Sequence, residues 1–176
     1  KPTFFFGADI SLLAAIIYRF PARKLIVVAI TGTKGKTSTT EILNAILEEK
    51  GYKTAILSTL RFKVGRESER NMYKMTTPGR FAVQSFLRRA VKEKCQYAIM
   101  EVTSQAVLQS RHRFLSLDGL IFTNISPEHI ESHGSFEKYL EAKLKIGKQL
   151  VKSKKKRRVL VANGDDKESA KFLSLN

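Results

Sequence analysis

A short glycine-rich segment near the start of the chain has the residue types that bind the phosphates of a nucleotide. It runs Ile30-Thr31-Gly32-Thr33-Lys34-Gly35-Lys36-Thr37-Ser38, after an apolar stretch and before an amphipathic one. A turn between a strand and a helix presents backbone N–H groups and the positive end of the helix to an anion. Lys36 can reach the outer phosphates, and the Thr37 hydroxyl can bind magnesium. The segment predicts a nucleoside triphosphate site formed by Gly32, Thr33, Lys34, Gly35, Lys36, Thr37 and Ser38.

This loop is a shortened form of the usual phosphate-binding pattern. Ile30 stands where that pattern has its first glycine, which leaves G-x-x-G-K-T. The alternative is a strand-to-helix turn that merely contains glycine and lysine. The apolar strand before the loop and the helical pattern after it favour the nucleotide.

Two further segments carry residues that can bind a metal. Glu101 ends an apolar run, which places a carboxylate where magnesium would sit beside a phosphate loop; the alternative is an ion pair with a lysine. His129 and His133 lie four residues apart among acidic residues. Histidine pairs suit zinc, but the acids and the phosphate loop favour magnesium. A pair of surface histidines is the alternative for that segment.

Apolar and amphipathic stretches alternate along the chain. This alternation predicts a mostly parallel α/β sheet with helices on both faces, whose ligands bind at the carboxyl ends of the strands. The polar stretch 60–75 predicts a small accessory hairpin or sheet. The predicted strands are 25–31, 54–58, 97–102, 120–124 and 159–163, and the predicted helices are 10–20, 37–50, 80–94, 104–109, 135–150 and one that begins at 166.

The charge of the chain is strongly basic. Its 32 basic and 16 acidic residues give a net charge of +16, which suggests polyanionic ligands. Six of the seven residues 152–158 are basic, without aromatic residues between them to stack on nucleic-acid bases. We therefore interpret the run as a solvated connection between a helix and a strand.

Length and cysteine content are those of a small intracellular domain. The 176 residues suit one domain, 24–176, preceded by a short helical segment, 1–23. The single cysteine, Cys95, excludes an internal disulfide framework and fits a reducing compartment. The apolar run 10–17 is too short to span a bilayer. We expect a cytoplasmic protein without a transmembrane segment.

Four segments, in order, resemble the central domain of the Mur ligase family, the ATP-dependent amide-bond ligases of peptidoglycan precursor synthesis. The family has T-G-T-N-G-K-T-T where this chain has residues 31–38, E-V-S-S-H at 101–105, F-T-N-L-S-R-D-H-L-D-Y-H-G at 122–134, and Y-x-x-A-K at 139–143. The resemblance covers about Lys24 to Asp166. Thr76-Thr77-Pro78, Arg111 and His133-Gly134 bring it nearest to the UDP-MurNAc-tripeptide synthetases.

The resemblance implies a chemistry and a set of roles. ATP would phosphorylate a substrate carboxylate, and the amine of an amino acid would attack the acyl phosphate. Catalysis would rest on Lys36, Lys143 and His129, with Lys143 carbamylated and two magnesium ions bound. By resemblance, the metal ligands would be Thr37, Glu101, His129 and Lys143; the UDP-MurNAc-peptide would contact Thr76, Thr77, Thr103, Gln109 and Arg111; and Asn163 would contact the nucleotide base.

This chain departs from the family pattern in several places. Lys34 replaces an asparagine, Gln105 a histidine, Pro127 an arginine and Glu128 an aspartate. The family has three domains and the resemblance covers one. We therefore expect the N-terminal UDP-binding and C-terminal amino-acid domains to be absent here and supplied by a full-length parent or a partner, with the central domain itself truncated.

Other functions stay open at this point. A folylpolyglutamate synthase or a polyglutamate- or cyanophycin-type ligase would share the loop and the lysine. The net charge of +16 admits a nucleic-acid-binding P-loop NTPase, although nucleic acid is not the expected partner. A degenerate domain that serves only as a scaffold is a third alternative.

Overall fold

The structure, a computed structural model, describes residues 3–73, 75–128 and 133–175, with side chains described from residue 10 onward. A 3-10 turn, Pro21–Lys24, follows the first helix. The helices are Thr3–Ile17 (α1), Lys36–Glu49 (α2), Arg80–Lys92 (α3), Ser104–Leu108 (α4), Phe136–Val151 (α5) and Ser169–Leu173 (α6). The strands are Ile26–Thr31 (β1), Thr54–Leu57 (β2), Arg61–Val64 (β3), Glu67–Arg70 (β4), Tyr97–Glu101 (β5), Gly119–Phe122 (β6) and Val159–Ala162 (β7).

One sheet runs through the described part of the chain, in the order β4-β3-β2-β5-β1-β6-β7. The five strands from β2 to β7 in that order are parallel, and β3 and β4 add an antiparallel hairpin at one edge. The predicted parallel sheet is confirmed. The predicted hairpin is confirmed too, as an extension of the same sheet, because β3 pairs directly with β2.

Helices cover both faces of the sheet. Val27, Ala98 and Leu120 belong to the main apolar core, which also contains residues of α3, α4, α5 and α6. Neighbouring positions such as Ile30 and Ile99 point to the opposite face, are fully buried, and lie outside that core. Helix α2, which contacts β1, β2 and β5, covers this second face.

Most predicted boundaries agree with the structure to within a few residues. Ser135 caps α5 by accepting a hydrogen bond from the Lys138 amide. The first helix ends at Ile17, earlier than predicted, because Arg19 and Phe20 adopt left-handed backbone conformations. The last helix begins at Ser169 rather than Asp166. The Asp166 carboxylate instead accepts from the amides of Ile125 and Glu168, which holds the preceding residues in a turn.

The basic run 152–158 connects α5 to β7, as predicted, and most of it is exposed. Lys155 is the one basic residue of the run that is not exposed, because its amine pairs with Asp118 at 3.0 Å. Cys95 is buried, and burial raises its thiol pKa, as expected for a structural cysteine. No helix in the described ranges has the length and hydropathy needed to cross a membrane.

Candidate functional site

The phosphate-loop segment lies at the carboxyl end of β1, between that strand and α2. Gly32 has to be glycine because a Cβ there would lie 1.9 Å from the Thr123 hydroxyl. Gly35 has a φ of 79° and precedes the first turn of α2, which contains Lys36, Thr37 and Ser38. The first turn has no acidic residue and no side-chain cap. The predicted strand–loop–helix arrangement is confirmed.

Residues that follow β6 hold this loop in place. The Asn124 side chain accepts from the Lys34 amide at 2.9 Å and donates to the Lys34 carbonyl at 3.1 Å. The Thr123 hydroxyl donates to the same carbonyl at 2.7 Å, and the Asn124 carbonyl accepts from the Thr33 amide at 2.9 Å. These bonds fix the loop backbone before any ligand is bound, which lowers the ordering cost of binding.

Two lysine amines meet at one carbonyl of the loop. Lys36 Nζ donates to Gly32 O at 2.9 Å and to Thr33 O at 2.9 Å, and Lys143 Nζ donates to Gly32 O at 2.8 Å. Lys143 is only 1% exposed, so it is not a solvated surface lysine of the helix. Burial, and then the charge of Lys36, lower the Lys143 pKa to about 7, while Glu128 acts in the opposite direction.

Tyr139 is a member of this cluster to which the sequence assigned no role. Its hydroxyl lies 3.1 Å from the Thr33 hydroxyl, and its ring lies 4.7 Å from Lys143 Nζ. The i,i+4 spacing in α5 could have indicated the contact, since residues four apart are neighbours on a helix. Tyr139 therefore buries the Lys143 amine and joins α5 to the loop.

Glu101 ends β5 beside the loop and is fully buried. Its Oε1 accepts from the Thr59 amide at 3.2 Å and its Oε2 from the Thr59 hydroxyl at 2.9 Å. Among the described residues both bonds to this carboxylate come from Thr59, and no lysine forms the ion pair that was the alternative for a strand-end acid. Burial lowers the Lys36 pKa, and the charge of Glu101 acts in the opposite direction.

The predicted substrate residues lie next to Glu101. Thr77 Oγ1 donates to the Glu101 carbonyl at 2.9 Å, and the Arg111 guanidinium donates to the Thr77 carbonyl at 2.5 Å and to the Gln109 side chain. Thr76 reaches Glu101 through Thr59, with 2.9 Å between the two threonine hydroxyls. Thr103, two residues after the end of β5, caps α4 by accepting from the Ala106 amide. The structure brings the five predicted residues to the end of one strand.

Asn163 lies at the carboxyl end of β7, at the same edge of the sheet. It is exposed, and its side chain accepts from the Asp165 amide at 3.1 Å. Asp166 ties this turn to the segment after β6 through the Ile125 amide, 2.7 Å away. Asn163 is thus placed on the side of the loop where β6 and β7 end, away from the substrate residues beyond β5.

The predicted ligand His129 lies outside the described residues. Within the described ranges, no group of three or more His, Cys, Asp or Glu side chains lies together. His133 is buried, with its Nε2 3.0 Å from the Ser104 hydroxyl and its ring against Tyr139. Its surroundings are those of a packed core residue.

The side chains present fit Mg·ATP. The uncapped start of α2, with Lys36 beside it, offers donors and positive charge to a triphosphate. The Thr37 hydroxyl and the Glu101 carboxylate are the oxygen ligands that magnesium prefers. Lys34 adds a further cation, and its amine lies 3.4 Å from Glu128.

Comparison with known proteins gives a family match. The model of the Mur ligase middle domain matches residues 30–175. The UDP-N-acetylmuramoyl-L-alanyl-D-glutamate--2,6-diaminopimelate ligase of Syntrophomonas wolfei is 40% identical over 157 residues, covering 89% of this chain and 31% of that protein. The UDP-N-acetylmuramyl-tripeptide synthetase of Roseiflexus sp. is 34% identical over 169 residues, covering 92% and 33%. The chain thus spans about a third of the length of these relatives.

Solved structures share the fold. A UDP-N-acetylmuramoyl-L-alanyl-D-glutamate--2,6-diaminopimelate ligase superposes with a TM-score of 0.72 at 24% identity, over 85% of this chain and 28% of the other. Mycobacterium tuberculosis folylpolyglutamate synthase, complexed with ADP, superposes with a TM-score of 0.67 at 14% identity, over 93% and 42%. The family match covers the phosphate loop, Glu101 and Lys143, which are the residues that the fold brings together. The chain therefore belongs to the Mur ligase family, and its residues 30–175 are that family's middle domain.

Proposed function

We propose that this chain is the ATP-binding middle domain of a UDP-MurNAc-tripeptide synthetase, an ATP-dependent ligase that joins an amino acid to UDP-MurNAc-dipeptide through an acyl phosphate. One observation carries the proposal. The buried Lys143 amine and the loop residue Lys36 share the Gly32 carbonyl, which puts a lysine of lowered pKa inside the phosphate site. A site that only binds nucleotide has no need of this second, buried amine.

Each part of the proposed nucleotide site uses residues already in position. The loop amides, from Thr33 to Ser38, and the Lys36 amine would bind the phosphates. Thr37 and Glu101 would hold one magnesium ion, and His129 is proposed for the second. Asn163, at the end of β7, would contact the base. Bound Mg·ATP supplies the phosphoryl group, and the protein contributes position and charge neutralisation.

Lys143 is proposed to become a carbamate. The neutral amine attacks CO₂: a nitrogen–carbon bond forms, one C=O π bond opens to leave the negative charge on oxygen, and the amine releases a proton to solvent. With a pKa of about 7, about half of the amine is neutral at pH 7, against fewer than about 0.1% for a lysine at the ordinary 10.5. The product is an anion, so its formation replaces the repulsion between Lys143 and Lys36 with attraction. It also gives Lys143 the oxygen atoms that a magnesium ligand needs.

The acceptor substrate is proposed to bind at Thr76, Thr77, Thr103, Gln109 and Arg111. Burial and the nearby charge of Arg80 lower the Arg111 pKa, so an anionic ligand would relieve both effects. A guanidinium suits the carboxylates and phosphates of a UDP-MurNAc-peptide because it can donate two parallel hydrogen bonds. We place the UDP-binding and amino-acid-selecting units outside residues 1–176, in the same polypeptide or a partner, and the enzyme in the cytoplasm.

A chimera tests the proposed reaction. Residues 30–175 would replace the matching segment of the Syntrophomonas wolfei relative, and phosphate release would be measured with ATP, UDP-N-acetylmuramoyl-L-alanyl-D-glutamate and 2,6-diaminopimelate. We expect release that requires all three substrates and disappears with Lys36→Met. A folded chimera with no release above that control would contradict the proposal.

The chimera and the unfused chain together separate the alternatives. A folylpolyglutamate-type site predicts ATP use that responds to a folate and glutamate and ignores the muramoyl peptide. A nucleic-acid-dependent NTPase predicts hydrolysis by the unfused chain that RNA or DNA stimulates and salt suppresses. A scaffold predicts no Mg·ATP binding at all.

A further inference from the structure

Thr59 lies between the proposed metal carboxylate and the proposed substrate turn, and nothing in the sequence pattern pointed to it. It follows β2, whereas Glu101 ends the neighbouring strand β5 and Thr76 lies in the turn before α3. Its hydroxyl is 2.9 Å from Glu101 Oε2 and 2.9 Å from the Thr76 hydroxyl. One side chain therefore touches both halves of the proposed active site.

The direction of these two hydrogen bonds follows from counting protons. Thr59 Oγ1 donates to Glu101 Oε2, and a hydroxyl has one proton to donate. In the second hydrogen bond Thr59 must therefore accept from Thr76. The result is a directed chain, Thr76 O–H to Thr59 O–H to Glu101 Oε2. In such a chain each bond polarises the next, so a change at Thr76 alters how strongly Thr59 donates to the carboxylate.

We propose that Thr59 is a positioning residue that couples the acceptor-substrate turn at Thr76 to the magnesium-binding carboxylate of Glu101. The proposal rests on the proposed function for the roles of Glu101 and Thr76. The Thr59 amide and hydroxyl hold both oxygens of a fully buried side chain, which fixes the rotation of the carboxylate. The oxygens keep lone pairs for a metal, because each can accept more than one bond. A ligand that forms a hydrogen bond with Thr76 would alter the hydrogen bonds from Thr76 to Thr59 and from Thr59 to Glu101. Substrate binding and magnesium binding are therefore linked through Thr59.

Magnesium-dependent nucleotide binding tests the positioning role on the unfused chain. The probe is a non-hydrolysable ATP analogue, titrated by calorimetry over a range of free Mg²⁺ and again in EDTA. For Thr59→Val we expect the Mg²⁺ concentration that gives half of the gain in nucleotide affinity to rise about tenfold. A factor of this size corresponds to the loss of one hydrogen bond to a charged group. Affinity in EDTA should be unchanged. Thr59→Ser, which keeps the hydroxyl, should stay within about twofold of wild type.

A matched control removes a threonine hydroxyl at the opposite end of β2. Thr54 begins that strand, is buried, donates to Asn44 at 2.6 Å and accepts from Lys63 at 3.0 Å. Thr54→Val should lower stability without moving the Mg²⁺ dependence. Equal effects of Thr54→Val and Thr59→Val on that dependence, or an equal loss in Thr59→Ser, would overturn the proposal.

A double-mutant cycle without nucleotide tests the coupling by itself. Unfolding equilibria would be measured for Thr59→Val, Thr76→Val and the double variant. We expect the change in the unfolding equilibrium constant of the double variant to differ by at least about threefold from the product of the changes in the two single variants. Residues in contact show non-additivity of this size. Additive effects would overturn the coupling. A wild-type chain that shows the coupling and no Mg²⁺-dependent binding would instead overturn the proposed function and, with it, the role assigned to Thr59.

Discussion

Lys143 Nζ and Lys36 Nζ donate to the same oxygen, the Gly32 carbonyl, at 2.8 and 2.9 Å. Two amines that share one acceptor cannot both be charged without repulsion. Both pKa values are lowered, and that of Lys143, the more buried amine, is lowered more. The phosphate loop and α5 are therefore linked electrostatically as well as by contact. An anionic ligand bound at the loop will therefore change the pKa, and so the charge, of the Lys143 amine.

Carbamate formation at Lys143 is the first consequence. With ¹³C-labelled bicarbonate at pH 7.5, NMR should show one carbamate carbon signal in the wild-type chain and none in Lys143→Ala. Lys148→Ala, an exposed lysine on the same helix, should keep the signal. A signal that survives Lys143→Ala would assign the carbamate elsewhere, and its absence from a folded wild-type chain would remove the role.

Gly32→Ala should disrupt the loop. The added Cβ would meet the Thr123 hydroxyl at 1.9 Å and backbone atoms of Asn124 at 3.1 Å, so the loop backbone must shift. We expect a loss of roughly 1–3 kcal/mol in unfolding free energy and no measurable nucleotide binding. In Gly164→Ala the new Cβ meets nothing within 4 Å, so chemical denaturation and ATP titration should both match wild type. Wild-type nucleotide affinity in Gly32→Ala would contradict the assigned loop geometry.

Lys34→Asn restores the residue that the family pattern has at this position. The Lys34 and Glu128 side chains are 76% and 38% exposed, so their ion pair should contribute less than about 1 kcal/mol to folding. A positive charge beside the phosphates should matter more for binding. We expect the dissociation constant for Mg·ATP to rise about threefold at low salt, and the difference to vanish at high salt. A salt-independent change would point to altered loop structure instead.

His112 should make the stability of the chain depend on pH. Its Nδ1 is buried without a hydrogen-bond partner in the described residues, and burial lowers its pKa from 6.5 to about 4. Between those values the unfolded chain binds a proton that the folded chain does not, so stability falls as pH drops from 6.5 towards 4. The difference in unfolding free energy between wild type and His112→Asn should change by about 2 kcal/mol from pH 6.5 to 5. Parallel stability curves for the two proteins would exclude this effect.

Local sequence predicted the phosphate loop because its residues are contiguous and their spacing determines the turn. It also predicted each parallel strand, since all five appear as apolar runs. β2, β5 and β6 are almost entirely buried, as expected for strands covered on both faces. It could not predict that β5 lies between β2 and β1, which depends on pairing between distant segments. That order is what brings Thr59 to Glu101, 42 residues away, so a site residue without a motif was missed.

Nucleotide binding by the unfused chain tests the central claim most directly. Mg·ATP would be titrated into wild type, Lys36→Met and Lys92→Met, the last being an exposed lysine on α3 that serves as the control. Calorimetry should show one Mg²⁺-dependent site in wild type and in Lys92→Met, and none in Lys36→Met, although all three remain folded by circular dichroism. Equal binding by Lys36→Met and wild type, or no binding by a folded wild-type chain, would contradict the claim that this is an ATP site.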